Sequence, residues 1–126
     1  MLLAMLSMSM IHAQKYDAHK HHVLNEQFMA QMQYLRTRAI KAHQYVDVSF
    51  YRNAPKMKVR EQRTKLRYDI PIYKGHVADR NRFVDVPINK EGEIDRFGSL
   101  YIEFEDGLTS KFIFHLEKGR MRVENL

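Results

Sequence analysis

The chain has no cysteine, which excludes a disulfide framework, a thiolate metal site and a cysteine nucleophile, while leaving the cellular compartment open. It also lacks a G-x-S-x-G elbow, a phosphate-cradling glycine loop and any Ser/His/Asp grouping suggested by spacing, so it reads as a non-enzyme without a cofactor. No internal repeat or low-complexity tract interrupts it. Nor is there an apolar run that spans a bilayer. The opening stretch MLLAMLSMSMIHA carries no charge, but its thirteen residues fall short of the roughly 20 a spanning helix needs. As a helix rising about 1.5 Å per residue it reaches only about two-thirds of the hydrocarbon core.

What is present describes one folded domain. The 126 residues, with 44% apolar and 29% charged side chains, suffice for a single core and lie outside the disordered regime. From Lys15 to Gln44 there is no Gly or Pro, and Leu24, Phe28, Met32, Leu35 and Ala39 recur at steps of four, four, three and four, the stripe of one long helix. From Tyr45 the period becomes two. Val46, Val48 and Phe50 alternate with Asp47, Ser49 and Tyr51; Met57 and Val59 lie between Lys56, Lys58 and Arg60; Leu66, Tyr68 and Ile70 follow. Pro71 limits that strand to an edge or an end. Leu100, Ile102 and Phe104 are answered, after the tight reversal offered by Asp106-Gly107, by Phe112, Phe114 and Leu116. After Lys118-Gly119, Met121 and Val123 form a last strand with Arg120 and Arg122 outward. Loops are expected at 53–55, 74–81 and 89–98. The layout is α+β: a long N-terminal helix packed on an antiparallel β-sheet head formed as a meander.

Charge is concentrated in one place. Arg52, Lys56, Lys58, Arg60, Arg63, Lys65 and Arg67 stand against Glu61 alone, and this segment carries the whole formal net charge of +6. As strand residues, Lys56, Lys58 and Arg60 project together, and Arg63, Lys65 and Arg67 extend the row, so successive phosphates could be met; Tyr51, Tyr68 and Tyr73 offer rings for exposed bases. Two other readings stand beside this one: outward lysines protecting an edge strand from aggregation, and contact with anionic cell-wall polymer or lipid. Lys118, Arg120 and Arg122 form a second candidate basic corner.

Three stretches, YLRTRAIKAHQYVDVSFY (34–51), VPINKEGEIDRFGSLYIEF (86–104) and FHLEKGRMRVENL (114–126), resemble the minor pilins of the type IV pilus and type II secretion superfamily, most closely the ComGD family of competence minor pilins of Gram-positive bacteria. The Glu-Lys-Gly-Arg-Met-Arg turn is the most specific part. The resemblance implies a hydrophobic N-terminal helix that anchors the subunit in the cell membrane and then packs in the core of a cell-surface filament, with a β head displayed outside. It implies other major and minor pilins as partners, the membrane through the helix, double-stranded DNA as a candidate partner, and a role in pilus assembly and uptake of transforming DNA. On this reading residues 1–14 are a partial transmembrane or pilus-core helix, 15–44 its continuation and 45–126 the head. The opening run looks like the lower half of such a helix, with the leader and the early Glu missing and a start codon assigned too late as the expected cause. The rival is a cleavable secretory signal, with Ile11-His12-Ala13 as a poor cleavage site and no positive n-region. A secreted basic domain that binds nucleic acid or cell-wall polyanions without joining a filament is the alternative function.

The other polar groupings read as structural. His12, His19, His21, His22 and His43 lie on or near the helix, with His19 and His22 on one face, but no further ligand falls at helical spacing, and a solvated cluster is expected. Glu103 and Glu105 are expected on a solvated strand face without an acid or base partner. Met1, Met5, Met8, Met10, Met29 and Met32 read as apolar packing rather than copper ligands. Leu24, Phe28, Met32 and Leu35 are the expected helix–sheet core, against Val48, Ile102 and Phe114.

Overall fold

The computed structural model describes residues 2–82, 85–114 and 121–126, with side chains from Asp17 onward. One helix, α1 (Leu2–Ala42), opens the chain. It ends in a left-handed residue, His43 at φ 49. There His43 N donates to Ile40 O at 3.3 Å and Gln44 N to Ala39 O at 3.1 Å, the paired bonds that satisfy the last carbonyls of a helix. Among the described residues no helix is long and apolar enough to cross a membrane.

Among the described residues eight strands follow: β1 (Val46–Ser49), β2 (Lys56–Glu61), β3 (Arg67–Pro71), β4 (Gly75–Val77), β5 (Asp85–Ile88), β6 (Gly98–Phe104), β7 (Thr109–Phe114) and β8 (Met121–Asn125). They form two antiparallel sheets rather than one meander, ordered β3-β2-β1-β5 and β4-β6-β7-β8. The hairpin runs β1–β2–β3 and β6–β7–β8 follow the alternation in the sequence. Between them the chain crosses over: β4 pairs with β6 and β5 returns to β1. β4 lies inside the expected loop at 74–81, because three residues are too few to display a period. The reversal at Glu105–Gly107 holds Asp106 at φ 62 and Gly107 at φ 74, which Asp and Gly tolerate at low steric cost.

The helix stripe is the core. Leu24, Phe28, Met32, Leu35 and Ala39 are all buried, in one cluster with Val48, Ile102 and Phe114. Phe28 ties the sheets together, its ring 6.2 Å from that of Phe50, just past β1, and 4.4 Å from that of Phe112 on β7. Each such fully buried side chain stabilises the fold by roughly 1.5–3 kcal/mol.

Buried polar clusters help fix the helix to the sheets. At its C-terminal end the buried Glu61 carboxylate accepts bonds from Arg38, Gln44 Nε2 (2.8 Å), Thr64 Oγ1 (2.8 Å) and the Tyr68 hydroxyl (2.5 Å). Gln44 Oε1 in turn accepts from the backbone N–H groups of Arg63 and Thr64, so the β2–β3 turn is held to the helix end. Midway along the helix His21 is buried rather than solvated, its Nε2 2.6 Å from Ser110 Oγ. Ser110 donates to Asn25 Oδ1 at 2.5 Å, and Asn25 Nδ2 to Asn125 Oδ1 at 2.7 Å. His19, His22 and His43 are exposed, while the His12 side chain lies outside the described residues. Among those residues no group of three metal-ligating side chains assembles.

The expectation that Glu103 and Glu105 lack partners is corrected. Glu103 Oε2 lies 2.9 Å from His76 Nε2 across the β4–β6 pair, and Glu105 is 3.0 Å from Lys20 Nζ and 3.7 Å from Lys74 Nζ. Lys20 also bonds Asp106, so this cluster joins the helix to the β6–β7 turn.

Candidate polyanion interface

The basic segment folds as the hairpin β2–β3. Alternation turns Met57, Val59 and Glu61 inward and Lys56, Lys58 and Arg60 outward. Antiparallel pairing then sets Arg60 opposite Arg67, Lys58 opposite Asp69 and Lys56 opposite Pro71. On the other side of β2, Asp47 faces Arg60 and Ser49 faces Lys58, and Asp85 faces Ser49 from β5. The outer face of this sheet is therefore a mixed grid, with an open cleft of about 770 Å³ lined by Asp47, Lys58, Arg60, Arg67, Asp85 and Arg96 among others.

The three aspartates change the electrostatics expected from the sequence. Lys56 is paired with Asp69 at 2.9 Å and Arg60 with Asp47 at 3.3 Å. Arg63 leaves the row altogether, its Nη1 donating to Ala42 O at 2.8 Å beside the helix end. Lys65 occupies the turn at φ 64, and Arg52 is exposed in the turn before β2. Among the described residues Lys58 and Arg67 face outward without a carboxylate partner. Lys58 Nζ rests 5.5 Å from the centre of the Tyr51 ring, itself half exposed.

The edge-protection reading fails for the β2 part of the row. β2 is flanked by β3 and β1, so Lys56, Lys58 and Arg60 guard no edge. β3 is the edge strand, and Pro71 ends it as expected. Of the three tyrosines, Tyr68 turns inward, its hydroxyl bound to Glu61 and its pKa pushed up by burial and then by that carboxylate. Tyr73 remains 39% exposed, with Lys74 Nζ 5.4 Å from its ring centre.

Arg122 lies on the second sheet, away from the row, and pairs with Glu124 at 3.3 Å; Lys118 and Arg120 lie outside the described residues. The second sheet carries a cation group that sequence reasoning missed. Arg80 Cζ stands 4.4 Å and Lys111 Nζ 5.9 Å from the centre of the Tyr101 ring, beside a cleft of about 470 Å³ that Arg82 and Ser99 also line. The alternation of β6 signals an outward Tyr101; nothing in the sequence signals that Arg80 folds over it. Such a face can hold an anion against its cations while a ring stacks on it. Compared with protein-family models, curated proteins and solved structures, the chain matches none.

Proposed function

We propose that this chain is a minor pilin, or pseudopilin, of a competence type IV pilus that supports pilus assembly and the uptake of transforming DNA. The observation that carries the reading is α1. A single helix of 41 residues, about 60 Å long at about 1.5 Å per residue, closes the head with its C-terminal half. Its backbone continues N-terminally past the exposed Asp17, Ala18 and His19. That is the arrangement a filament subunit needs: a head stable on its own core and a projecting helix to pack among neighbours. In this reading the helix holds the subunit at the cell membrane before assembly, and other pilins are its partners on the cell surface.

Deleting the gene in the organism that encodes it should abolish both filament formation and transformation, and the tagged protein should co-purify with sheared filaments. Unchanged filaments and transformation after deletion would overturn the proposal. Lys58 and Arg67, outward and without carboxylate partners among the described residues, favour the second reading, a secreted basic domain that binds nucleic acid or cell-wall polyanions. Recovery of the protein from the medium, never from filaments, would select it.

A further inference from the structure

Two sheets have four edges, and three of them are guarded. On β3, Pro71 has no N–H to offer and its carbonyl accepts from Gln31 Nε2 at 2.7 Å. On β5, Pro87 O accepts from Asp95 N at 3.0 Å and Ile88 bridges Ile94. On β4, Val77 exchanges both backbone bonds with the 53–54 turn, at 2.8 and 2.9 Å. The fourth edge, β8, contains no proline, and among the described residues no backbone group pairs with its outer side. An open strand edge of this kind is a template for another strand.

The phase of β8 is set by Leu126 N, which donates to Thr109 O at 2.9 Å. Antiparallel pairing alternates, so Glu124 and Arg122 turn their backbone groups toward β7, while Met121, Val123 and Asn125 turn theirs outward. The side chains divide the other way. Met121 and Val123 pack on the core, and Arg122 and Glu124 lie on the outer face, their side chains 63% and 45% exposed.

We propose that β8 pairs antiparallel with β8 of a second copy of this chain, about a two-fold axis through Val123. Each Val123 then faces the partner's Val123, and Met121 faces the partner's Asn125, giving up to about six backbone hydrogen bonds. Arg122 faces the partner's Glu124, and Glu124 the partner's Arg122, at the positions where cross-strand side chains approach most closely. Edges that block pairing carry proline or charges that repel their own copy. Met121–Asn125 instead has opposite charges two residues apart, so it matches its own reverse. The contact is isologous and closes at two copies, joining two four-stranded sheets into one of eight. A five-residue edge buries less than a standard interface, so the dimer is weak and concentration-dependent. The inference does not rest on the filament reading.

Analytical ultracentrifugation of the full chain tests it. The wild type should dimerise as concentration rises, and Arg122→Glu and Glu124→Arg should each weaken self-association about tenfold or more by setting like charges opposite one another. Mixing the two single variants should restore a heterodimer, because every cross-strand pair is again of opposite charge. A wild type that stays monomeric, or a dimer indifferent to both reversals, would overturn the proposal. If either variant misfolds by circular dichroism, Val123→Cys serves instead. In a chain without cysteine it should oxidise to a symmetric disulfide, since a hydrogen-bonded pair brings Cα atoms to about 5.5 Å. A Thr64→Cys control should not, and equal cross-linking of the two would also refute the β8 contact.

Discussion

The Arg38 guanidinium grips the Glu61 carboxylate with two parallel bonds, Nη2 to Oε1 at 2.7 Å and Nε to Oε2 at 3.1 Å. Arg38 belongs to the helix and Glu61 to the last position of β2, so this one pair fixes where the basic hairpin sits against the helix. The carboxylate is wholly buried and fully bonded, which makes removal of one partner costly. Arg38→Ala should lower the denaturant midpoint, because it leaves the buried Glu61 charge without its counterion.

The same carboxylate sets an acid limit. Hydrogen bonds from Arg38 above all, then Tyr68, Thr64 and Gln44, outweigh burial and hold its pKa at about 2, below the ordinary 4.5. The unfolded chain therefore takes up this proton first. The stability it contributes is fully present above about pH 4.5 and lost as pH falls toward 2. Thermal melts of the wild type should lose stability across that window, and Glu61→Gln, which has no proton to take up there, should lack that component.

Midway along the helix the sign is the same but the cause differs. Burial is the main influence on His21 and lowers its pKa, opposed by a backbone bond to Thr109. The unfolded state then binds the proton first as pH falls below the ordinary 6.5, so stability should decline below that point. A two-dimensional NMR titration should find His21 protonating below the ordinary 6.5. A midpoint at or above that value would contradict the burial account.

Phe28 joins both sheets to the helix, and truncating a buried phenylalanine typically costs about 3–5 kcal/mol. Phe28→Ala should lower the unfolding midpoint by roughly 10 °C or more. A change within error would mean that the two sheets do not share this core.

Gly92 marks a close approach between the 89–98 loop and the helix. It sits at φ +79, and a Cβ built there would lie 2.7 Å from Ile40 Cδ1 and 3.3 Å from Arg36 O. Gly92→Ala should destabilise by about 1–3 kcal/mol through backbone strain. Combining it with Ile40→Val should recover only the part due to the side-chain clash, measured as non-additivity in chemical denaturation.

For DNA, the pairing geometry sharpens which cations to change. Lys56 and Arg60 already have aspartate partners, so Lys58→Gln with Arg67→Gln should have the larger effect. If both meet phosphates, the slope of log affinity against log salt should become shallower by about 1.8, at about 0.9 per contact. Arg80→Gln with Lys111→Gln tests the Tyr101 face in the same assay. Were only the second pair to change the slope, the binding face would be the sheet opposite to the one the charge run suggests.

Much of this architecture is written in local pattern. The spacing of Leu24, Phe28, Met32, Leu35 and Ala39 determines the buried stripe of α1. The alternation at Lys56–Glu61 and Gly98–Phe104 determines which side chains face inward, because helix and strand periods are properties of neighbouring residues. Asp106-Gly107 likewise announces its own reversal. The tertiary structure alone decided what lies beside these elements. Asp47, Asp69 and Asp85 come from three different strands to temper a row that looks uniformly basic in the sequence. Glu61, the lone acid in that run, meets Arg38 of the helix, and the Tyr68 hydroxyl joins them. His21 is buried against Ser110, 89 positions away, and Arg80 covers Tyr101. Each of these depends on strand order and on contacts between residues far apart in the chain. A periodicity carries no information about such neighbours, because it records which way a side chain points and not what it meets there.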